Sequence, residues 1–166
     1  MHIAQINVGR LLAPIDDPRI ADFRNNLESI NALAETSPGF VWRLKDDGGN
    51  ATTLRAFEDP TILLNMSVWE SPEALYAFTY NTMHRRFVQR RKEWFELFGL
   101  PYLALWWIAD DHTPAMPEGR ERLEHLQRFG PTAYAFNFKK LFPPALDAKP
   151  LGEPGATDRG PYRLCG

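Results

Sequence analysis

Polar and apolar residues alternate with period two over residues 2–10 and again over residues 62–69, the mark of strands with two different faces. In the second stretch Ile62, Leu64, Met66 and Val68 point one way, and Leu63, Asn65, Ser67 and Trp69 the other. In the first, Ala4, Ile6 and Val8 oppose Ile3, Gln5 and Asn7. Between them the period lengthens. Asp17 is a helix cap with Pro18 at the first position, and Ile20, Phe23, Leu27, Ile30 and Leu33 follow at steps of three and four until Ser37-Pro38-Gly39.

Residues 40–45 predict a second strand, 46–50 a tight turn, and 52–57 a short extension or an ordered loop. After the third strand, Ser71 caps a short helix with Pro72 at its start. A further helix is expected over 82–98, with Phe87, Trp94, Phe95 and Phe98 as its apolar side. Gly99-Leu100-Pro101 breaks it. Residues 102–109 are apolar on both faces, so that strand is central or covered twice. A last helix runs over 117–129 and stops at Gly130-Pro131. The order β-α-β-β-α-β with an extra C-terminal helix predicts an α+β, ferredoxin-like domain over 1–140, its helices on one side of four antiparallel strands. Residues 141–166 hold five prolines and four glycines and predict a disordered or draped tail.

If helices cover one face only, the other carries Ile3, Gln5, Asn7, Arg43, Leu63, Asn65, Ser67 and Trp69, with Leu105/Trp107 or Tyr102/Trp106 from the fourth strand. Such a face is too apolar to meet water and too polar for a dry interface. The expected resolution is face-to-face pairing of two copies, with a small-molecule pocket at the seam.

Net charge is −2 with 24% charged residues, so no strong field is implied, and the cluster Arg85-Arg86 with Arg90-Arg91-Lys92 is not the basic stripe that nucleic acid needs. The single cysteine, Cys165, excludes an internal disulfide framework and fits a reducing cytosol. Without a signal-like N-terminus or an 18-residue apolar span, a soluble cytoplasmic protein with no membrane partner is expected. Five tryptophans and 13% aromatic residues must fill a core, an interface or a pocket. His-x-x-x-His spacing and Cys/His clusters are absent, so no protein-built metal site is expected. Neither a Gly-rich phosphate loop nor Gly-x-Ser-x-Gly occurs, which argues against covalent nucleophilic catalysis.

Several residues stand out chemically. His84 suits a general base, a haem ligand or a donor to a substrate oxygen; its plainer role is to pair with Glu70 or Glu73 or to support the core. His84, Val88, Arg91 and Phe95 share one helical face, so Arg91 is a candidate to neutralise a carboxylate or oxyanion beside His84, the alternative being a salt bridge to Glu70 or the last helix. Gln5, Asn7, Asn65, Ser67 and Arg43 are candidate polar contacts to a ligand, or they satisfy one another across strands. Trp69 and Trp107 are candidate packing surfaces for it, or core anchors.

Asn7, the corner Ser67-Val68-Trp69-Glu70-Ser71-Pro72-Glu73-Ala74-Leu75, and His84 resemble the dimeric α/β-barrel superfamily that includes antibiotic-biosynthesis-monooxygenase-like proteins. More narrowly, Asn7-Val8-Gly9-Arg10-Leu11, residues 38–44, His84 with residues 90–95, Leu105-Trp106-Trp107, and residues 122–126 with 130–132 and 136–138 resemble the bacterial domain of unknown function 3291 family, over roughly residues 2–140. The resemblance implies a homodimer and a small-molecule enzyme acting on an aromatic or polyketide-like substrate in a cavity between sheet and helices. Oxygenation comes first, with His84, Arg91 and Asn7 as the catalytic set. It equally admits haem binding through His84, cofactor-free cyclisation or isomerisation, and non-catalytic ligand binding, so the cofactor is none or haem. Where monooxygenase-like chains tend to place a histidine just after the corner, this chain has Phe78.

Overall fold

A computed structural model describes residues 1–45, 49, 51, 57, 59–97 and 99–152. Most of the expected turn over 46–50, the extension over 52–56, Phe98, and the end of the tail with Cys165 lie outside the described residues.

Four strands, β1 (His2–Arg10), β2 (Phe40–Arg43), β3 (Ile62–Trp69) and β4 (Leu103–Ile108), form one antiparallel sheet in the order β2-β3-β1-β4. Helix α1 (Ala21–Glu35) joins β1 to β2, while α2 (Pro72–Asn81) and α3 (His84–Arg90) join β3 to β4. This is the ferredoxin-like βαββαβ connection, followed by α4 (Met116–Phe129). The helix starts follow the local chemistry. Asp17 accepts from the Arg19 N–H at 2.9 Å, opening a short 3-10 helix that leads into α1. Ser71 Oγ accepts from the Ala74 N–H at 3.2 Å at the head of α2.

The helices do not share one face. α1, α2 and α3 lie over the face that carries Ile3, Gln5, Leu63, Ser67 and Trp69. α4 covers the other, where Ala4, Ile6, Met66, Val68 and Trp106 pack against Leu123 and Leu126. The expected seam, in which the polar and aromatic face lies bare for a second copy, is therefore overturned: both faces are covered within one chain. The cause is the all-apolar character of the Ile6 and Met66 face, which draws in α4. Each buried leucine there contributes about 1.5–3 kcal/mol. Gly119 lets α4 approach so closely that a Cβ on it would come 2.9 Å from Met66 Sδ. Trp106 donates its indole N–H to Glu118 at 2.8 Å, so strand parity leaves Leu103, Leu105 and Trp107 on the opposite face.

α3 is shorter than the helix expected over 82–98. It ends at Arg90, a 3-10 turn spans Arg91–Glu93, and the chain then runs beside the end of β1. There the Leu12 N–H donates to Trp94 O at 2.8 Å and the Glu96 N–H to Arg10 O at 2.9 Å, so the backbone bonds lost from the helix are recovered. Gly9 makes this path possible: a Cβ on it would come 2.5 Å from a carbon of the Phe95 ring. β2 stops at Arg43, short of residue 45, and a register shift between Phe40 and Trp42 sets Phe40 and Arg43 on the Trp69 side.

Beyond α4, Arg122 donates to Tyr134 O at 2.7 Å and its guanidinium lies 3.7 Å over the Tyr134 ring. His125 is hydrogen-bonded to Thr132 Oγ1 at 3.0 Å. These contacts hold Phe136 against Leu105, whose edge it pairs with. Residues 141–152 form no helix or strand, and Phe142 and Ala148 pack against the body. Among the described residues no helix is long and apolar enough to cross a membrane.

Candidate functional site

α1 faces the sheet without closing on it. Ala34 is its only buried residue, and Leu27 and Ile30 border open space rather than core. The gap is a cavity of about 250 Å³, floored by β1 and β3 and walled by α1, α2, α3 and the segment after α3. It is larger than the roughly 150 Å³ cavity that holds benzene and close to the lower end of ligand pockets, about 300 Å³. It suits a molecule of one or two rings.

The floor is a hydrogen-bonded ladder set by strand register, with Gln5 opposite Ser67 and Asn7 opposite Asn65. The fully buried Trp69 indole, which can only donate, bonds Ser67 Oγ at 2.9 Å. Gln5 Nε2 donates to the same oxygen at 2.9 Å and to Asn65 Oδ1 at 2.6 Å, while Asn7 Nδ2 donates to Gln5 Oε1 at 3.1 Å. Both Gln5 Nε2 protons are thereby used. Ser67 Oγ accepts twice and keeps its O–H, and Asn65 keeps its N–H₂, with no acceptor among the described residues. The floor thus offers the cavity spare donors.

His84 stands on the wall. Its Nδ1 lies 3.3 Å from Thr79 O, an acceptor only, so Nδ1 carries the proton and Nε2 presents a lone pair. Burial pushes the imidazole below its ordinary value of 6.5, and the bond to Thr79 opposes this in part. Phe78 stacks between Trp69 (5.1 Å, 24°) and His84 (4.8 Å, 22°), so His84 and Trp69 face each other only through that ring. His84 pairs with neither Glu70 nor Glu73.

Arg91 lines the same cavity, its guanidinium 3.7 Å over the Tyr102 ring. Arg43 also reaches the wall, but its head is committed to Glu35 at 2.8 Å and Gly49 O at 2.7 Å. Trp107 is corrected: it shares the sheet face yet lies outside the cavity, because its indole donates to Phe142 O at 2.8 Å beneath the C-terminal segment. Of the residues anticipated from the sequence, the structure gathers Gln5, Asn7, Asn65, Ser67, Trp69, Arg43, His84 and Arg91 around one space. Phe78, Thr79 and Tyr80 were not anticipated as lining, and Tyr102 was named only as one of two alternatives for the fourth strand. Their signal was the run of aromatics flanking His84 and opening β4.

The macrocycle of haem is larger than the space of about 250 Å³ bounded by the described residues, so the cavity as described does not accommodate it. Among the described residues no three histidine, cysteine, aspartate or glutamate side chains gather as a metal site requires.

Residues 2–151 match the family described as Domain of unknown function (DUF3291). No curated protein matches the chain significantly. Solved structures similar to it include PA3566 from Pseudomonas aeruginosa (15% identity, TM-score 0.43, 65% of this chain and 95% of that one). NE2512, a protein of unknown function from Nitrosomonas europaea, aligns at 12% identity and TM-score 0.46 over 69% of this chain and 95% of its own. A candidate antibiotic biosynthesis monooxygenase from Chloroflexus aurantiacus J-10-fl aligns at 16% identity and TM-score 0.42 over 68% and 98%.

Proposed function

The chain belongs to the DUF3291 family, whose description names no reaction, and we propose that it is a small-molecule enzyme that deprotonates an aromatic or polyketide-like substrate beneath α1, α2 and α3. One observation carries this reading: His84, whose Nε2 has no partner among the described residues, lines the space whose floor offers spare donors. A neutral imidazole with a lowered pKa is a base at pH 7. Ser67 and Asn65 hold the oxygen on which charge develops, Arg91 adds a cation, and Asn7 steadies the ladder through Gln5. Trp69 and Phe78 supply flat apolar walls. Dioxygen as the next reactant adds to the carbanion, the protonated His84 returns its proton to give the hydroperoxide, and loss of water leaves a carbonyl, so that CH₂ and O₂ give C=O and H₂O. This step is supported by the likeness of Asn7 and residues 67–75 to monooxygenase-like chains. The reading needs one chain; a homodimer would join through surfaces other than the two sheet faces.

The test is exchange of an acidic C–H into D₂O, followed by NMR under nitrogen, over a panel of phenols and 1,3-diketones. At least one member exchanges faster than in buffer, and His84→Ala slows it by roughly 10²–10⁴. Admitting air then gives an oxygenated product; turnover that ignores air points to a cyclase or isomerase. If no panel member exchanges, or the variant exchanges as fast as the parent, the enzyme reading fails in favour of ligand binding alone.

A further inference from the structure

Resting on that reading, we infer that the ligand is an anion: a flat aromatic acid of one or two rings, its charged end outward against Arg91 and an oxygen inward on the floor. Among the described residues that line the cavity there is no aspartate or glutamate, and there are two arginines. The charge of Arg43 is met by Glu35 at 2.8 Å. The charge of Arg91 is met by no carboxylate among the described residues.

The neighbouring arginine sharpens the point. Arg90 binds Asp22 at 2.7 Å and Glu93 at 2.8 Å, taking the nearby acids on the outside of the wall. Arg91 instead lies flat on Tyr102, a residue 37% exposed, at the outer side of the space. Stacking leaves the edge of a guanidinium open to a two-point carboxylate contact. The apolar surroundings strengthen that contact relative to water.

At the inner end the spare groups are the Ser67 O–H and the Asn65 N–H₂, which suit an oxygen lone pair. Among the described residues a cation would find no opposite charge at either end. The space therefore selects an acid that carries a carbonyl or phenolic oxygen across its ring.

Titration calorimetry on the intact protein distinguishes the charges, using 1-naphthoate, neutral 1-naphthamide and cationic 1-naphthylmethylammonium. The acid binds about tenfold or more tighter than the amide, and high salt weakens the acid selectively. Arg91→Gln erases that preference, and Arg91→Lys keeps part of it. Should Arg91→Gln fold poorly by circular dichroism, Arg91→Lys and the salt series carry the comparison. The inference is overturned if the amide or the ammonium matches the acid, or if Arg91→Gln leaves the acid unaffected. Those results spare the role of His84 when deuterium exchange persists. If none of the three probes binds, the anion assignment and the cavity reading both fail.

Discussion

Ser67→Ala tests the ladder on which the site is built. Ser67 is 6% exposed, and its oxygen accepts from Trp69, 0% exposed, and from Gln5, 2% exposed. Removing that oxygen strands the indole N–H outright and leaves one Gln5 N–H without an acceptor, while the other still reaches Asn65. A buried donor left unmade costs about 1–3 kcal/mol, so the substitution costs about 2–4 kcal/mol in all. For a chain of this length that is a drop of roughly 5–15 °C in Tm. Urea unfolding followed by circular dichroism measures it, with Ser71→Ala as a control that loses one cap bond worth about 1 kcal/mol. The decisive step is a double-mutant cycle. Trp69→Phe removes the N–H that Ser67→Ala would strand, so the double variant is less destabilised than the sum of the singles by about 1–2 kcal/mol. Strict additivity, or a Ser67→Ala cost no larger than the control, refutes the ladder.

Gly9→Ala drives a methyl into the Phe95 ring and destabilises by about 1–3 kcal/mol, and adding Phe95→Leu restores part of the loss in the same urea assay. Because burial holds His84 below 6.5, the base form persists to lower pH than in a free imidazole. The acid limb of any deuterium-exchange rate therefore falls below pH 6.5. The linkage has a definite sign: the unfolded chain takes up the proton first, so the contribution of His84 to stability is complete above 6.5. It is lost as pH falls from there towards the folded-state value, and Cm in urea declines less over that window in His84→Ala than in the parent. Titration with haem gives no Soret band that depends on His84; a band lost in His84→Ala would refute the size argument.

The two faces of β1 and β3 were legible because strand parity is a local property, and that parity brought Gln5, Asn65, Ser67 and Trp69 together correctly. Which face the helices take was not legible. The helix after β1 and those after β3 were assigned to the apolar face, whereas α4, late in the chain, claims it, and Gly119 shows how tightly. Trp107 has the expected parity but is capped from 35 residues away, a contact no local pattern reveals. The extent of α3 was misjudged for a similar reason. Residues 91–95 keep a helix-like apolar spacing, yet Phe95 is taken by Gly9, distant in sequence on β1. Phe78 reads as a core ring and nothing local marks Tyr80, since a wall that stands off its sheet leaves no trace in periodicity.

The distribution of the five indoles has a practical outcome. Trp69 and Trp94 border the empty space, whereas Trp42 and Trp106 pack on the α4 side of the sheet and Trp107 under the C-terminal segment. The protein therefore carries a built-in optical sensor: occupancy should quench or shift ultraviolet emission from the first two and leave the other three dark to it. Unlabelled compound collections can be screened that way before any reaction is assigned.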